Sequence, residues 1–529
     1  MDYKICILAA GIGSMSELTK DIHHSILPVN FKATLSYIFE KFPKDVEVVI
    51  AVGYKKETIK EYCSLAHPDR KITYVDIEKY FGPGTGPGQS LLECRPHLNC
   101  PFVFFAADTI VLEEVPNPDR NWFGIAPVKK TEDFCTVRIK NNLIYHLDDK
   151  VKVDNKFAFI GLAGVRDYDV FFNALEQDKT IKKGEIQVSN GFSKLIEKKL
   201  VPIGFTWFDT GRPESYKETN KSFSEGSKFD FSKSNEFIYF VNNKIVKYFA
   251  NPEIIEKRYK RAQILKGLCP DIEAKTPNFY SYERVPGQVL YDVLNSSVVT
   301  DFFEWSKNNI WRKIDISKKD QKVFNQACKK FYYDKTMKRL DMFYDKLKVD
   351  DTQNNINGVV VPPLKDMFDK INWDELYKGV PVKFHGDLQF DNILVTRDPK
   401  SNLSKFALLD WRQDFGGLTD YGDLYYDLSK LYGGVTLSYK EIKAGNFSFD
   451  RSGTSVYYNF SVKNDLLDAK EEYESFLDRN KFDMEKIKIL RALIYLNMSP
   501  LHHTPFDLML YYMGKVMLYK ALKEFGRIK

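Results

Sequence analysis

Short apolar runs alternate with helical spacing through the first hundred residues. KICILAA, VEVVIAVGY, KITYVDI and PFVFFAADTIV are rich in β-branched and aromatic residues and read as strands, whereas TLSYIFEKF and KKETIKEYCSLA repeat their apolar positions every three or four residues and read as helices. This alternation predicts an α/β domain, a mixed and mostly parallel sheet with helices on both faces, whose ligands sit at the carboxyl ends of the strands. Near Glu218 the periodicity lapses into KETNKSFSEGSKFDFSKSNE, polar and rich in Ser and Lys. A first domain is therefore expected over residues 1–222 and a linker over 223–234. NEFIYFVNNKIVKYF then offers two strand runs about an Asn-Asn turn, the mark of a hairpin. A helical stretch from Pro252 to about Leu268 and the strand-and-turn FYSYERVPGQVL complete a small lobe over 235–290. The remainder, 291–529, reads as a mainly helical α+β lobe, with QKVFNQACKKFYYDKTMKRLDMFYDKL and FDLMLYYMGKVMLYKALKEF both amphipathic. Gly445 to Val462 alternates like a hairpin set into it.

Length and composition narrow the class. A chain of 529 residues suggests two to four domains. The formal net charge of +6 is mild and no basic block appears, so nucleic-acid binding is not implied. The seven cysteines are scattered and include no CxxC pair, which points to reduced thiols and a cytoplasmic setting. No apolar run is long enough to insert in a membrane, and the N-terminus leads directly into a strand.

The densest chemistry lies in FHGDLQFDNILV and the following LLDWRQDFGG. Phosphoryl transfer needs a carboxylate to orient the attacking hydroxyl, and oxygen ligands for magnesium on the triphosphate. The spacing His385-x-Asp387-x4-Asn392 delivers one of each from a single loop. Asp387 is the candidate base, and Asn392 and Asp410 are the candidate magnesium ligands. The pattern resembles the aminoglycoside phosphotransferase and choline kinase superfamily, which implies a bilobal, protein-kinase-like fold from about Phe237 onward. On that resemblance Lys247 holds the nucleotide phosphates, with Lys244 a competing candidate. Glu256 is its helix partner, with Glu253 competing. YERVPG, with Glu283, resembles the hinge that meets adenine, and Asp427 braces the catalytic loop. Choline kinases often carry an acidic residue after the Asp-Trp pair, where this chain has Arg412.

A second set of motifs lies upstream: LAAGIGSM, ILPVNFKATL, a strand ending in Asp108, and WFDTGRPESY. Gly11 and Gly13 allow the tight bend that turns backbone N–H groups toward phosphates. The set resembles the sugar-nucleotide pyrophosphorylase and phosphocholine cytidylyltransferase family over about residues 1–220, which implies a Rossmann-like nucleotidyltransferase domain. FGPGTGPGQSLL, with Gly84, Gly86 and Gly88, resembles the family's base-recognition segment. Asp108 and Asp209 correspond to its magnesium-binding aspartates, and Gly184-Glu185 with FIGLAGV to its acceptor pocket. The family places an arginine and a lysine behind its glycine loop, where this chain has Met15 and His24, the latter preceded by His23. Lys20, Lys32 and a protonated His24 are the candidate replacements.

Together the motifs describe a bifunctional enzyme. A kinase half phosphorylates a small-molecule hydroxyl acceptor, a sugar or an amino alcohol, with ATP and Mg2+. A nucleotidyltransferase half then activates the phosphomonoester with a second triphosphate, CTP or UTP, for surface glycan or lipid synthesis. The alternative is a kinase whose first half is a non-catalytic binding or regulatory module.

Overall fold

The computed structural model describes residues 2–13, 17–182, 184–223, 235–397 and 404–529. Two compact units emerge from the chain's contacts: the first holds residues up to 223 together with 235–252 and 274–281, and the second holds 253–273 and 282–529.

The first unit is built on four parallel strands, β1 (Lys4–Ala9), β2 (Val48–Val52), β3 (Ile72–Asp76) and β4 (Phe102–Ala106), in the order β4-β1-β2-β3. Ile5, Ile7 and Ala9 of β1 join Val48, Ile50 and Val52 of β2 in one apolar cluster, while Cys6, Val49 and Ala51 join another on the opposite face. Burial of both faces is why these strands read as continuous apolar runs. Helix α1 (Lys56–Ala66) covers the first face with Ile59, Tyr62 and Cys63, and α2 (Pro87–Cys94) covers the second with Leu91 and Cys94.

Past β4 the chain turns at Ala107-Asp108 into β5 (Thr109–Val111), and the sheet becomes antiparallel. It grows by β6 (Trp122–Pro127), β7 (Cys135–Lys140), β8 (Leu143–Asp149) and β9 (Phe157–Val165), while β10 (Val201–Gly204) joins β6 in parallel. Strand β9 runs against β4 and β6, and its register shifts between Phe159 and Ala163. Gly161 lies in that shift at φ +74°, where a Cβ would stand 2.5 Å from Ala106 Cβ. Strand β11 (Trp207–Asp209) pairs antiparallel with β5 outside the main sheet.

The expected hairpin is present as β12 (Glu236–Val241) and β13 (Lys244–Phe249), with Asn242 at φ +54° in its turn. It packs into the core of the first unit. Tyr239 and Tyr248 bury their rings beside Ile59 and Tyr62, and their hydroxyls donate to the carbonyls of Ile26 and Asp21, each at 2.8 Å. Each hydrogen bond adds about 1 kcal/mol to ring burial worth about 1.5–3 kcal/mol. Strand β14 (Phe279–Glu283) extends this small sheet beside β13.

The second unit begins along α3 (Pro252–Ile264) and is mainly helical. A continuous helical stretch forms from α4 (Lys318–Lys329), a π-helical turn (Lys330–Asp334) and α5 (Lys335–Leu347). The short strand β15 (Pro381–Val382) leads into the loop carrying Asp387; β16 (Ile393–Arg397) and β17 (Ser404–Leu408) form the hairpin that ends before Asp410. β18 (Gly422–Asp423) pairs with β15 and runs into α6 (Leu424–Gly434). The hairpin expected within Gly445–Val462 is present as β19 (Phe447–Ser452) and β20 (Ser455–Phe460).

The terminal helix α7 (Phe506–Glu524) departs from the amphipathic expectation. It is buried on nearly every side, Asp507 and Lys515 included. These two charges lie inside because each has a partner: Asp507 pairs with Lys346 at 2.9 Å, and Lys515 with Asp351 at 3.1 Å and Asn354 at 2.8 Å. No helix among the described residues is long and apolar enough to cross a membrane.

Candidate active sites

At the carboxyl ends of β1 and β4 the first unit opens into a cavity of about 990 Å³. Its lining brings together Gly11, Gly13, His24, Gly86, Asp108, Asp209 and Arg212, from segments scattered across 200 residues. Asp108 sits on the turn after β4. The β5–β11 pairing matches Asp209 to Thr109, and Thr210 donates its N–H to the Asp108 carbonyl at 2.8 Å. A Cβ added at Gly211 would lie 2.4 Å from Asp108 Oδ2 and 3.2 Å from Asp209 Oδ1, so a glycine is needed where the two carboxylates converge. Burial, reinforced by the neighbouring Asp209, pushes the Asp108 carboxyl up to about 6. A buried carboxylate that resists ionisation, faced by a second carboxylate, suits a hard divalent cation completed by phosphate oxygens. Among the described residues no cluster of three or more His, Cys, Asp or Glu forms a self-sufficient metal site.

The glycines differ in what they do. Gly13 is at φ +66°, and a Cβ there would lie 2.7 Å from His24 Nδ1. Gly86 lines the cavity at φ +120° with its backbone pressed against Glu185. Gly84 is outside the lining, and its N–H donates to the Gly184 carbonyl at 3.2 Å. Gly88 is also outside the lining, within α2, where a Cβ would stand 2.8 Å from the Gln187 carbonyl oxygen.

The two histidines have separate positions. The Ser25 N–H donates to His23 Nδ1 at 3.2 Å, so Nε2 carries the ring proton and donates to the Gly11 carbonyl at 3.1 Å. His23 therefore fixes the loop from beneath. His24 lines the cavity, and burial lowers it to about 4, so it is neutral at pH 7. Met15 lies outside the described residues. Lys20 and Lys32 do not line the cavity, and Lys32 is paired with Glu40 at 2.8 Å. Among the described residues, the lysine and arginine that line it are Lys150 and Arg212. Arg212 stands 3.3 Å from Asp133 and lies over the Phe134 ring. Its signal in the sequence was a charge three residues after Asp209, inside FDTGRPESY.

The second unit concentrates the other candidates. Both carboxylate oxygens of buried Asp427 accept backbone N–H groups, from His385 and from Gly386, each at 2.7 Å. Burial outweighs these bonds and pushes Asp427 up to about 6. The Asp387 N–H donates to His385 Nδ1 at 3.3 Å, so His385 Nε2 donates to the Leu409 carbonyl at 2.9 Å. Burial lowers His385 to about 4 and keeps it neutral. Asn392 Nδ2 donates to the Asp387 carbonyl at 2.9 Å and reaches its carboxylate at 3.3 Å. The hairpin β16–β17 returns the chain so that Leu409 N–H meets the Asn392 carbonyl at 2.7 Å, which sets Asp410 beside the loop. Asp410 is at φ +57°, a left-handed conformation that costs a side-chain-bearing residue about 1–2 kcal/mol. Its carboxylate accepts from Arg258 Nη1 at 2.6 Å. An amide oxygen and a carboxylate are hard ligands of the kind magnesium takes.

Of the remaining candidates, Lys247 is buried in β13 and Lys244 is half-buried at its start. Glu256 is exposed on α3, and Glu283 is exposed at the end of β14. Arg258, two residues beyond Glu256 and paired to Asp410, was not anticipated. Its buried face on α3 was the available signal.

No protein-family model matches the chain. A stretch of 81 residues is 42% identical to D-glycero-alpha-D-manno-heptose 1-phosphate guanylyltransferase of Campylobacter jejuni, covering 15% of this chain. The match spans 37% of that relative's length. Among solved structures, a UDP-glucose pyrophosphorylase complexed with UDP-glucose aligns at 18% identity over 42% of this chain and 98% of its own, with a TM-score of 0.37. CTP:phosphocholine cytidylyltransferase from Streptococcus pneumoniae aligns at 15% identity over 42% of this chain and 100% of its own, with a TM-score of 0.36.

Proposed function

We propose that the chain is a bifunctional enzyme of phosphorus chemistry. Its first unit transfers a nucleotidyl group from a nucleoside triphosphate to a phosphomonoester, and its second unit transfers the γ-phosphoryl group of ATP to a hydroxyl. The observation that carries the first half is the convergence of Asp108 and Asp209 in a cavity rimmed by Gly11, Gly13 and Gly86. In that reaction an acceptor phosphate oxygen bonds to the α-phosphorus, the bond from that phosphorus to the β-bridging oxygen breaks, and pyrophosphate leaves. Asp108 and Asp209 would hold magnesium, which when bound neutralises phosphate charge. His23 keeps the glycine loop in place, and Lys150 and Arg212 bring positive charge to the cavity. For the second half, Asp387 orients the attacking hydroxyl and takes its proton as the γ-phosphorus passes to that oxygen and ADP departs. Asn392 and Asp410 would hold the metal there.

Pyrophosphate release tests the first half, using magnesium, each of the four ribonucleoside triphosphates and a panel of sugar 1-phosphates. Wild type is expected to turn over with one pair, and Asp209→Asn to fall at least about 100-fold. Unchanged release in Asp209→Asn would refute the assignment.

One observation favours a second reading, in which the first unit binds nucleotide without turning it over: His24 is neutral where the related family carries a lysine. On that reading wild type binds triphosphate but releases no pyrophosphate, and Met15→Arg with His24→Lys installs the activity.

A further inference from the structure

The candidate phosphotransfer centre has an unusual charge balance. Lys430 of α6, itself nearly buried, stands 3.1 Å from Asp387 Oδ1. Arg412 follows the catalytic loop closely: its N–H donates to the His385 carbonyl at 3.0 Å, and a Cβ at Gly386 would lie 2.6 Å from Arg412 Cβ. The Arg412 guanidinium lies 4.9 Å from the centre of the Phe331 ring, and Lys335 Nζ lies 4.1 Å from the same ring. The π-helical turn Lys330–Asp334 contributes Phe331, and it sets Lys335 and Arg339 one helical turn apart at its exit.

Among the described residues none of Lys335, Arg339 and Arg412 has a carboxylate within 4 Å, and Arg412 Nε is buried without a hydrogen-bond partner. Lys335, Arg339, Arg412 and Lys430 thus gather on the Asp387 side of the centre, and of the four Lys430 is the one paired to Asp387. Burial lowers Lys335 well below its ordinary value, and Arg412, Arg339 and Lys430 add to the effect. Repulsion among these groups is relieved by an anion, and the planar fork of an arginine matches phosphate or carboxylate. A cationic amino alcohol would meet repulsion here.

We propose that the hydroxyl acceptor of the second unit is itself an anion, a compound already bearing a phosphate or carboxylate group that Arg412, Lys335 and Arg339 hold while Asp387 faces its hydroxyl. The proposal rests on reading this unit as a phosphotransferase. Arg412 is assigned as an acceptor-binding residue.

The test uses the full chain with magnesium and ATP, following ADP formation against a library in which each neutral hydroxyl compound is paired with its phosphate and carboxylate derivatives. Choline and ethanolamine are included as cations. Turnover is expected only with anionic members, and the phosphate and carboxylate arms report which oxyanion is preferred. Arg412→Ala is expected to raise the acceptor KM at least tenfold and the ATP KM less than twofold, with partial recovery in Arg412→Lys. Turnover of neutral or cationic members that matches their anionic counterparts leaves the kinase reading standing and overturns the anionic acceptor. A rise in the ATP KM alone assigns the cations to the nucleotide and overturns it equally. Absence of ADP formation with every member overturns the kinase reading, and this proposal with it.

Discussion

Replacing Asp427 with alanine removes the side chain that accepts the backbone N–H groups of His385 and Gly386 in the HGD loop. Its two oxygens accept the N–H groups of His385 and Gly386 at 2.7 Å each, and the residue is fully buried. In Asp427→Ala both donors lose their acceptor in a place water does not reach, at about 1–3 kcal/mol each. The gross loss is therefore about 2–6 kcal/mol. Part is offset, because a carboxyl pushed up to about 6 is also penalised by its burial. The net expectation at pH 7 is a loss of about 2 kcal/mol or more. In urea, followed by the fluorescence of tryptophans, four of which lie in the second unit, this moves that unit's midpoint down by about 1 M. Asp427→Asn keeps one acceptor and turns an NH2 toward the other donor, so it recovers no more than half of the loss. ADP formation is expected to fall about tenfold or more in either variant, since Asp387 is carried by the same loop. A midpoint shift below about 0.2 M with unchanged turnover would refute the reasoning.

Other consequences follow from the two sites. Gly211→Ala is expected to push Asp108 and Asp209 apart, since the new Cβ would fall 2.4 Å from Asp108 Oδ2; magnesium affinity of the first unit drops while its unfolding midpoint changes little. Protonation of Asp108 competes with the cation, so magnesium affinity, measured by titration calorimetry, should weaken as pH falls through about 6, by up to tenfold per pH unit below it. Asp209→Asn removes one cause of that elevation and moves the onset to lower pH. His23→Ala leaves the Gly11 carbonyl and the Ser25 N–H without their ring partner and should cost about 1–3 kcal/mol while raising the triphosphate KM. His24, His67 and His385 are all held below their ordinary values, at about 4, 3 and 4, so the unfolded chain binds more protons as pH falls below 6.5. Their contribution to stability is present above pH 6.5 and is lost progressively between 6.5 and about 3, a loss that urea midpoints read at stepped pH will follow.

Much of the first unit was legible because a parallel sheet buried on both faces leaves long apolar runs, as Ile5 to Ile7 and Val48 to Val52 do. The Asn-Asn turn likewise announced β12 and β13. What the hairpin packs against was not legible, since nothing local in Tyr239 or Tyr248 says that their hydroxyls will meet carbonyls more than 200 residues earlier. Helix α7 misled for a related reason. Lys515 and Asp507 mimic a solvent face, and the distant Asp351 and Lys346 show that both charges are paired inside. At the sites, glycines and aspartates announce themselves by spacing, whereas supporting cations do not. Arg258 reaches Asp410 across 152 positions, and Lys335 comes near Arg412 through a π-helical turn that no apolar pattern encodes.

Two products separate the two proposed centres in one measurement. ADP and pyrophosphate are quantified together from the full chain supplied with magnesium, the triphosphates, a phosphorylatable acceptor and a sugar 1-phosphate, in wild type, Asp387→Asn and Asp209→Asn. The account predicts both products in wild type, loss of ADP alone in Asp387→Asn, and loss of pyrophosphate alone in Asp209→Asn. A wild type that forms one product only, or a variant that loses both or neither while remaining folded, would contradict it.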